Sequence, residues 1–177
     1  VLCEIPAFQK IDQGQKLVKQ FEEKNLIYMM AENFCYTPTN LAISQLFDRG
    51  YFGSITYIKS GYIHDCKDLT IKKDSGDLTW RGTALTKISG NDYPTHSLGP
   101  VSKWLGIGSG QDKFVSITSF ATQEAALSLY YADNFPKKSE INNDLFKRGD
   151  ISLSVLKTAS GAVVELILDT VSNRPSS

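Results

Sequence analysis

The chain has 177 residues, enough for one domain with a sizeable core, and its 41% hydrophobic and 21% charged content is ordinary for a globular protein. Nineteen Lys and Arg residues balance nineteen Asp and Glu residues, so the sequence predicts no basic surface of the kind that binds nucleic acid or a membrane. No apolar run is long enough to span a bilayer. The three cysteines, Cys3, Cys35 and Cys66, lack CxxC spacing, which predicts free thiols rather than a disulfide framework or a zinc site.

The first third of the chain alternates between strand and helix patterns. After a strand-like start, apolar residues on one face predict a surface helix over residues 13–24. Residues 26–31 form an apolar run of strand length, which we expect to be buried on both faces. A second helix is predicted over residues 37–48, with Gly50 suited to its C-cap, and a strand over residues 54–63 follows. The order β-α-β-α-β favours an α/β arrangement.

The rest of the chain has one irregular segment and a strand-rich end. Residues 66–90 show no clear periodicity and are predicted to be either a functional loop or a disordered segment. A short helix is predicted over residues 100–105, directly after the tetrapeptide YPTH, and a strand over residues 113–122. Residues 151–158 and 162–170 alternate in hydrophobicity, which predicts an antiparallel hairpin. The predicted class is therefore α/β (α+β), with a mainly antiparallel sheet in the second half.

Polar residues follow the two predicted N-terminal strands. Glu4 ends the first strand, and Asn33 and Tyr36 follow the second in the segment AENFCY. In open α/β sheets the carboxyl ends of the strands face the ligand crevice, so each of these side chains is a candidate ligand contact. The local sequence alone equally allows Glu4 as a solvated turn residue, Asn33 as a turn hydrogen-bonder and Tyr36 as a packing residue.

Two further candidates lie in the middle of the chain. GYIHD places Tyr62 and His64 on one face of a strand end, with Asp65 beside them as a partner for acid–base or metal chemistry. No third potential ligand lies at a sequence spacing typical of a metal site, so the metal interpretation is weak. Trp80 and Arg81 would suit a sugar-stacking platform with a hydroxyl or anion anchor, or a loop tryptophan that fills a gap beside an exposed arginine.

Tyr93 and His96 of YPTH are the best local candidates for catalysis. Histidine titrates near neutrality, and a helix N-terminus favours its neutral form through the helix dipole. Packing or capping is the competing interpretation, since histidines at helix starts are common. The glycine-rich segment GIGSG resembles part of a dinucleotide fingerprint, but it follows a predicted helix and precedes a strand, so a C-cap and turn are predicted there.

Taken in order, several segments resemble one family. VLCEIPA, MMAENFCYTP, DRGYFGSITYIKSGYIHD, WRG and GNDYPTHSLGPVSKWLGIG are similar to the Gfo/Idh/MocA oxidoreductases. Within that family they resemble the branch of NAD-dependent glycoside hydrolases typified by bacterial α-N-acetylgalactosaminidases. The resemblance runs from residue 1 to about residue 108, is most specific at GYIHD and GNDYPTHSLGP, and resumes at the closing strand and SNRP.

For the fold, the resemblance implies that residues 1–35 are the tail end of a Rossmann NAD-binding domain. Residues 36–177 would then be the C-terminal substrate domain, truncated at its end, with a mainly antiparallel open sheet flanked by helices on one face. Both ends of the chain look cut, so a fragment of a longer protein is expected. In this family the open sheet often mediates oligomers, and we expect a homo-oligomer here.

The resemblance also implies which residues form the site. Those that would contact NAD or the sugar are Glu4, Ile5, Asn33, Tyr36, Tyr62, Arg81, Tyr93 and His96. The first three would lie at the nicotinamide end of NAD, the next four would line the sugar pocket, and His96 would lie beside the reacting carbon. Tyr93 and His96 would be the catalytic residues, and no metal is implied.

The implied reaction is a glycoside cleavage by transient oxidation. Bound NAD oxidises the 3-hydroxyl of a hexosamine glycoside of the α-N-acetylgalactosaminide type, with His96 or Tyr93 accepting the proton. The ketone acidifies the C2 proton so that a base can remove it, and the glycosidic oxygen leaves by elimination. Water then adds, and NADH returns its hydride. The family's E-K-P-type motif is Glu4-Ile5-Pro6 here, and the missing lysine favours the hydrolase branch over ordinary dehydrogenases.

Two alternatives remain open: a plain NAD(P)-dependent sugar or polyol dehydrogenase, and an inactive sugar-binding or oligomerisation module. The chain lacks the GxGxxG fingerprint, so most of the NAD would be held by an absent N-terminal domain. The chain alone is expected to bind NAD weakly or not at all. The expected partners are a carbohydrate and further copies of the chain, without nucleic acid or membrane, and the compartment is left open.

Overall fold

The computed structural model describes residues 1–139 and 145–175. Its N-terminal part contains β1 (Leu2–Cys3), α1 (Ile11–Glu23), β2 (Met29–Met30), a 3₁₀ turn (Asn33–Tyr36) and α2 (Pro38–Asp48). The remaining elements are β3 (Tyr57–Ile63), α3 (Lys67–Thr70), α4 (Trp80–Leu85), α5 (Thr95–Trp104), β4 (Phe114–Ala121), α6 (Ala126–Asn134), α7 (Pro136–Ser139), β5 (Ile151–Thr158) and β6 (Val163–Asp169). Helices and strands alternate in the first half, as the α/β class requires.

The N-terminal strands β1 and β2 form a two-stranded parallel sheet, connected through α1 and paired in register at Leu2 and Met29. The strand predicted over residues 26–31 is much shorter than expected. The expected burial is also wrong, since Ile27 is 85% exposed and Met29 is 48% exposed. Within the described part of the chain β2 pairs with β1 alone, so most of this apolar run has no layer to pack against.

The second half of the chain forms a four-stranded sheet in the order β3-β6-β5-β4. Strand β5 is antiparallel to both β4 and β6, whereas β3 is parallel to β6. The predicted, mainly antiparallel sheet is therefore confirmed, and so is the β5–β6 hairpin. Gly161 in the hairpin turn has a φ of 99°, in the left-handed region that glycine adopts without steric cost.

Helices cover one face of this sheet. Alternate residues of β5 are buried, while the intervening residues are at least partly exposed. On the buried face, α5 packs against the strands through a core cluster formed by Val101, Leu156, Val164 and Leu166. The opposite face carries exposed side chains such as Phe120, so the sheet is open on that side.

Residues 66–90 carry two short helices, so disorder, one of the two expectations for this segment, is wrong, while a functional role for it stays a prediction. An antiparallel bridge between Ile71 and Leu78 joins α3 to α4. Ile71 and Leu85 are buried in a second core cluster, together with residues of α6 such as Leu127. Helices of four and six residues are too short to display a hydrophobic period, which explains why the sequence pattern missed them.

Helix α5 begins at Thr95, earlier than predicted, and Pro94 occupies its N-cap. YPTH is therefore the start of the helix itself, and Pro100 lies inside it. The predicted start was wrong because proline is usually tolerated only in the first turn, whereas Pro100 is buried in a helix held by tertiary packing. Gly106 follows the helix with a φ of 65°, so the interpretation of GIGSG as a C-cap and turn is confirmed.

Candidate active site

Three segments bring aromatic side chains around His96. Helix α5 packs against the 3₁₀ turn and against β3, and this packing places His96 between Phe34 and the two tyrosines. The Phe34 ring stacks on the imidazole at 4.0 Å between centroids. Tyr62 and Tyr93 meet the imidazole edge-on at 4.9 and 5.1 Å. The imidazole is thus held on several sides by rings that leave it little freedom to rotate.

A buried carboxylate completes this arrangement. His96 Nδ1 lies 2.8 Å from Glu32 Oε1, and the two side chains are 10% and 6% exposed. The same oxygen accepts the backbone N–H of Phe34 at 3.0 Å. Burial on its own would raise the pKa of Glu32, but the hydrogen bonds from His96 and Phe34 outweigh it and hold that pKa below its usual value. Glu32 is therefore an ionised acceptor, and Nδ1 of His96 is the donor.

Sequence reasoning selected Asn33 in the segment AENFCY and missed its neighbour Glu32. The partner of Glu32 is 64 positions away in the sequence, so no local spacing reveals the pair. The local sequence showed only a glutamate at a strand end next to a predicted turn. A solvated turn residue has the same local pattern, so this position could not be distinguished as functional.

The predicted sugar-pocket residues Tyr62, Arg81 and Tyr93 line a common cavity of about 60 Å³. The Tyr62 and Tyr93 rings lie 5.8 Å apart, and the Arg81 guanidinium lies 6.0 Å from the Tyr93 ring. Arg81 also stacks on Trp80 at 4.5 Å, and Trp80 is 55% exposed at the cavity wall. Aromatic faces beside a guanidinium are suited to a sugar, because they provide stacking and hydrogen-bond donors together.

Tyr62 is a neutral hydrogen-bonding group in this cavity. Burial, and then the neighbouring Cys66, raise the pKa of Tyr62 to about 12. The phenol therefore keeps its proton at neutral pH and is available as a donor to a ligand oxygen. Burial likewise raises the pKa of the Cys66 thiol, so Cys66 is not a thiolate nucleophile.

Other lining residues of the cavity were not predicted. Arg148 is 2% exposed, and its Nη1 lies 3.2 Å from Asp92 Oδ1 while its Nη2 donates to Thr170 Oγ1 at 2.6 Å. Arg148 precedes β5 in a segment without hydrophobic periodicity, so nothing in the local sequence distinguished it from a surface arginine.

Tyr36 is placed away from this group. Its side chain is 56% exposed and lies under Lys103, whose Nζ is 4.7 Å from the ring centroid. Among the described residues the structure records no ring contact between Tyr36 and Tyr62 or Tyr93. Tyr36 remains a candidate at most for the rim of the site.

The three residues predicted at the cofactor lie at the carboxyl ends of the parallel strands β1 and β2. Glu4 and Asn33 are exposed and Ile5 is partly buried. Their neighbour Pro6 lines the cavity that contains Tyr62, so this strand edge adjoins the predicted sugar pocket.

His64 and Asp65 do not form the acid–base or metal-binding pair that their adjacency in the sequence suggested. His64 Nδ1 lies 2.9 Å from Cys66 Sγ, whereas Asp65 Oδ2 accepts from Lys67 Nζ at 2.8 Å. The physical reason is that consecutive residues of an extended segment point to opposite sides. In residues 1–139 and 145–175, no group of three or more His, Cys, Asp and Glu side chains is arranged to hold a metal ion.

Comparisons with known proteins identify the family. The sequence profile described as "Glycosyl hydrolase 109, C-terminal domain" matches residues 36–177. The chain belongs to glycosyl hydrolase family 109. Proteins of this family from Saccharopolyspora erythraea and Shewanella pealeana are 32% and 33% identical to it, in each case over 98% of this chain and 38% of the relative. The chain therefore spans well under half the length of these relatives.

Solved structures show the same fold. A putative myo-inositol dehydrogenase from Sinorhizobium meliloti superposes with a TM-score of 0.67 at 17% identity, covering 99% of this chain and 45% of that one. An inositol dehydrogenase homologue from Azotobacter vinelandii, complexed with NADH and myo-inositol, gives 0.67 at 13% identity over 99% and 39% of the two chains. The family 109 chain thus has the fold of these oxidoreductases, and its resemblance to the Gfo/Idh/MocA family and its hydrolase branch is confirmed. None of its described helices combines the length and apolarity needed to cross a bilayer.

Proposed function

We propose that this chain is the substrate-binding part of an NAD-dependent glycosidase that acts on a hexosamine glycoside of the α-N-acetylgalactosaminide type. The observation that carries the proposal is the contact of His96 with both Tyr62 and Tyr93, next to the cavity that Arg81 lines. One proton-transfer group thereby adjoins a pocket with aromatic walls and hydrogen-bond donors. Membership of family 109 supports the reaction type.

Each residue of the site has a specific task in this proposal. Tyr62 and Arg81 bind and orient the sugar. His96 accepts the proton of the reacting hydroxyl through Nε2, because its Nδ1 is engaged by Glu32. Tyr93, in contact with His96, is the second proton-handling group, and Tyr36 contributes at the rim. No pair of carboxylates flanks the cavity, so the double-displacement chemistry of ordinary glycosidases does not suit the described residues.

The residues at the carboxyl ends of β1 and β2 fit the nicotinamide end of NAD. Glu4 and Asn33 are exposed, and their side-chain polar atoms form no hydrogen bond within the described residues, so they are available to a carboxamide. We propose that Glu4, Ile5 and Asn33 hold that end of the cofactor. When bound, NAD would supply the hydride acceptor for the sugar carbon and return the hydride afterwards.

The proposed domain organisation follows from the same arrangement. Residues 1–35 would belong to an NAD-binding domain and residues 36–177 to a substrate domain. The start of the family match at residue 36 and the separate parallel pair β1–β2 support this division. The partners we propose are the carbohydrate substrate and further copies of the chain.

The test is glycoside cleavage by the full-length polypeptide that carries this sequence. We expect an aryl α-N-acetylgalactosaminide to be cleaved only when NAD is bound, without net formation of NADH. His96→Asn should lower kcat about 100-fold or more, the usual contribution of a general acid–base group. Tyr51→Phe, at a tyrosine that is 72% exposed and outside the cavity, is the control and should leave the rate unchanged. Cleavage that continues after NAD is stripped would refute the proposal.

A second candidate, a sugar or polyol dehydrogenase, is favoured by the inositol dehydrogenases among the structures of this fold. It predicts steady accumulation of NADH with a free sugar. Ile5, at the position where ordinary members of the oxidoreductase family are expected to carry lysine, weighs against it. A panel of free sugars and inositols assayed beside the aryl glycoside distinguishes the two. Binding of a sugar without turnover of either class would instead support the inactive module.

A further inference from the structure

We propose that Glu32 is a positioning residue for His96: it accepts the Nδ1 proton and so presents Nε2 as the proton acceptor at the sugar pocket. This inference rests on the proposed function for its consequence in catalysis, but its structural part is testable without any activity. Glu32 itself lines no part of the cavity that contains Tyr62, Arg81 and Tyr93. It would act through the imidazole.

His96 and Glu32 meet in a short, buried contact. The 2.8 Å distance between Nδ1 and Oε1 is that of a strong charge-assisted hydrogen bond, and both side chains are almost completely buried. Within the described residues no lysine or arginine forms an ion pair with Glu32, and its Oε2 has no hydrogen-bond partner. In the described part of the chain, His96 is therefore the one cationic or potentially cationic group that pairs with this buried carboxylate.

The Glu32–His96 pair is also held in place by the surrounding fold. The Phe34 N–H fixes Oε1 from one side, and the Phe34 ring stacks on the imidazole. Gly99 of α5 passes so close that an added Cβ would lie 2.7 Å from Glu32 Cγ. A helix approaching this closely leaves the carboxylate no alternative position, so one face of the imidazole and one nitrogen are fixed before any ligand binds.

The hydrogen bond to Glu32 also determines which imidazole nitrogen of His96 is left to accept a proton. An ionised carboxylate can only accept, so Nδ1 must carry the proton and Nε2 of a neutral imidazole carries a lone pair. That lone pair is what a base needs in order to take a hydroxyl proton. Without Glu32 neither tautomer of His96 would be selected, and a fraction of the protein molecules would present an N–H at Nε2 instead.

The other titratable groups near this pair are Tyr62, Tyr93 and Cys35. Tyr62 contacts the imidazole from β3, Tyr93 contacts it from the start of α5, and Cys35 lies beside Glu32.

The experiment is nitrogen NMR of the histidine rings. The spectrum should contain few signals, because the chain has two histidines. In the 177-residue chain with labelled histidine, we expect His96 to show a protonated Nδ1 and an unprotonated Nε2 at a pH where the ring is neutral. His96→Asn assigns its signals. Glu32→Leu, which removes the hydrogen-bond acceptor at similar volume, should abolish this tautomer preference, and Glu22→Leu, at an exposed carboxylate of α1, should not.

Activity of the full-length enzyme provides the second readout. Glu32→Leu should lower kcat about 100-fold with little change in KM, since sugar binding uses other residues. A dominant Nε2–H tautomer of His96 in the unaltered chain would overturn the inference, even if the Glu32 variant does not fold. An unchanged tautomer and rate in Glu32→Leu would overturn it as well. If the tautomer behaves as expected but no glycoside is cleaved, the positioning role stands and the proposed function fails.

Discussion

Gly99 is the residue that lets α5 approach the Glu32–His96 pair. An added Cβ would meet Glu32 Cγ at 2.7 Å and Cys35 Sγ at 3.1 Å, and Glu32 is buried and fixed by two hydrogen bonds. Gly99→Ala in a helix would ordinarily gain up to about 1 kcal/mol, but overpacking costs about 1–3 kcal/mol. We expect a net loss of about 1 kcal/mol in unfolding free energy, measured by urea titration, together with a lower glycosidase rate.

The matched control for Gly99→Ala is Ser102→Ala, on the same helix and without a described side-chain hydrogen bond. It should leave the unfolding free energy unchanged or raise it slightly, because alanine has the higher helix propensity. If Gly99→Ala were as stable and as active as the unaltered protein, the carboxylate would have room to move and the tight fit around it would be refuted.

The sequence could indicate which distant residues lie near one another only where they carry a recognisable motif, and their roles stay a prediction. Tyr62, Arg81, Tyr93 and His96 were named from their resemblance to a family, and the structure brings them together. Their local patterns did not reveal this, because tyrosine and histidine are also ordinary packing residues. Glu32 was missed because its role depends on a contact between distant segments, which only the folded chain creates.

At the level of elements, the Asp169 side chain binds the backbone that directly follows β6. Its Oδ1 accepts the backbone N–H groups of Val171 at 3.2 Å and Ser172 at 3.0 Å, and its Oδ2 binds Arg174. Burial would raise the pKa of Asp169, but these hydrogen bonds and the arginine outweigh it and hold the pKa below its usual value. The carboxylate thus fixes the chain direction just after the last strand.

We expect Asp169→Ala to lower the unfolding free energy by about 1–3 kcal/mol at neutral pH, because it leaves buried backbone donors unpaired. The folded-state pKa is depressed, so this stabilisation is fully present above the unfolded-state pKa and is lost as the pH falls through the folded-state pKa. Urea titrations at neutral and at acidic pH should therefore show a difference that shrinks with acid. Asp133→Ala, at an exposed position of α6, is the control, and an equal loss there would contradict the assignment.

Element prediction succeeded where a pattern was long. The eight and seven residues of β5 and β6 alternate clearly, and both strands and their turn were correct. The short helices α3 and α4 were missed, since four and six residues cannot show a period. The burial of residues 26–31 was wrong because hydrophobic composition does not reveal whether a covering layer is present in the same chain.

At the level of the whole molecule, the described helices leave one face of the four-stranded sheet uncovered. Phe120 and Leu153 pair across β4 and β5 on this face, and Ile167 of β6 lies opposite Leu153. Phe120 is 66% exposed and Leu153 is 36% exposed. A contiguous apolar strip of this kind usually marks an interaction surface. A homo-oligomer through this face is what the family resemblance implies.

We therefore predict that the double variant Phe120→Glu, Leu153→Glu is monomeric. Each buried apolar side chain contributes about 1.5–3 kcal/mol, so the dissociation constant of the oligomer should rise at least about 100-fold. Sedimentation equilibrium over a range of concentrations measures this. Ile117→Glu is the matched control: Ile117 is 64% exposed on the same strand, but it pairs with Leu156 on the helix-covered side. A chain that is already monomeric, or one that Ile117→Glu dissociates equally well, would place any subunit contact elsewhere.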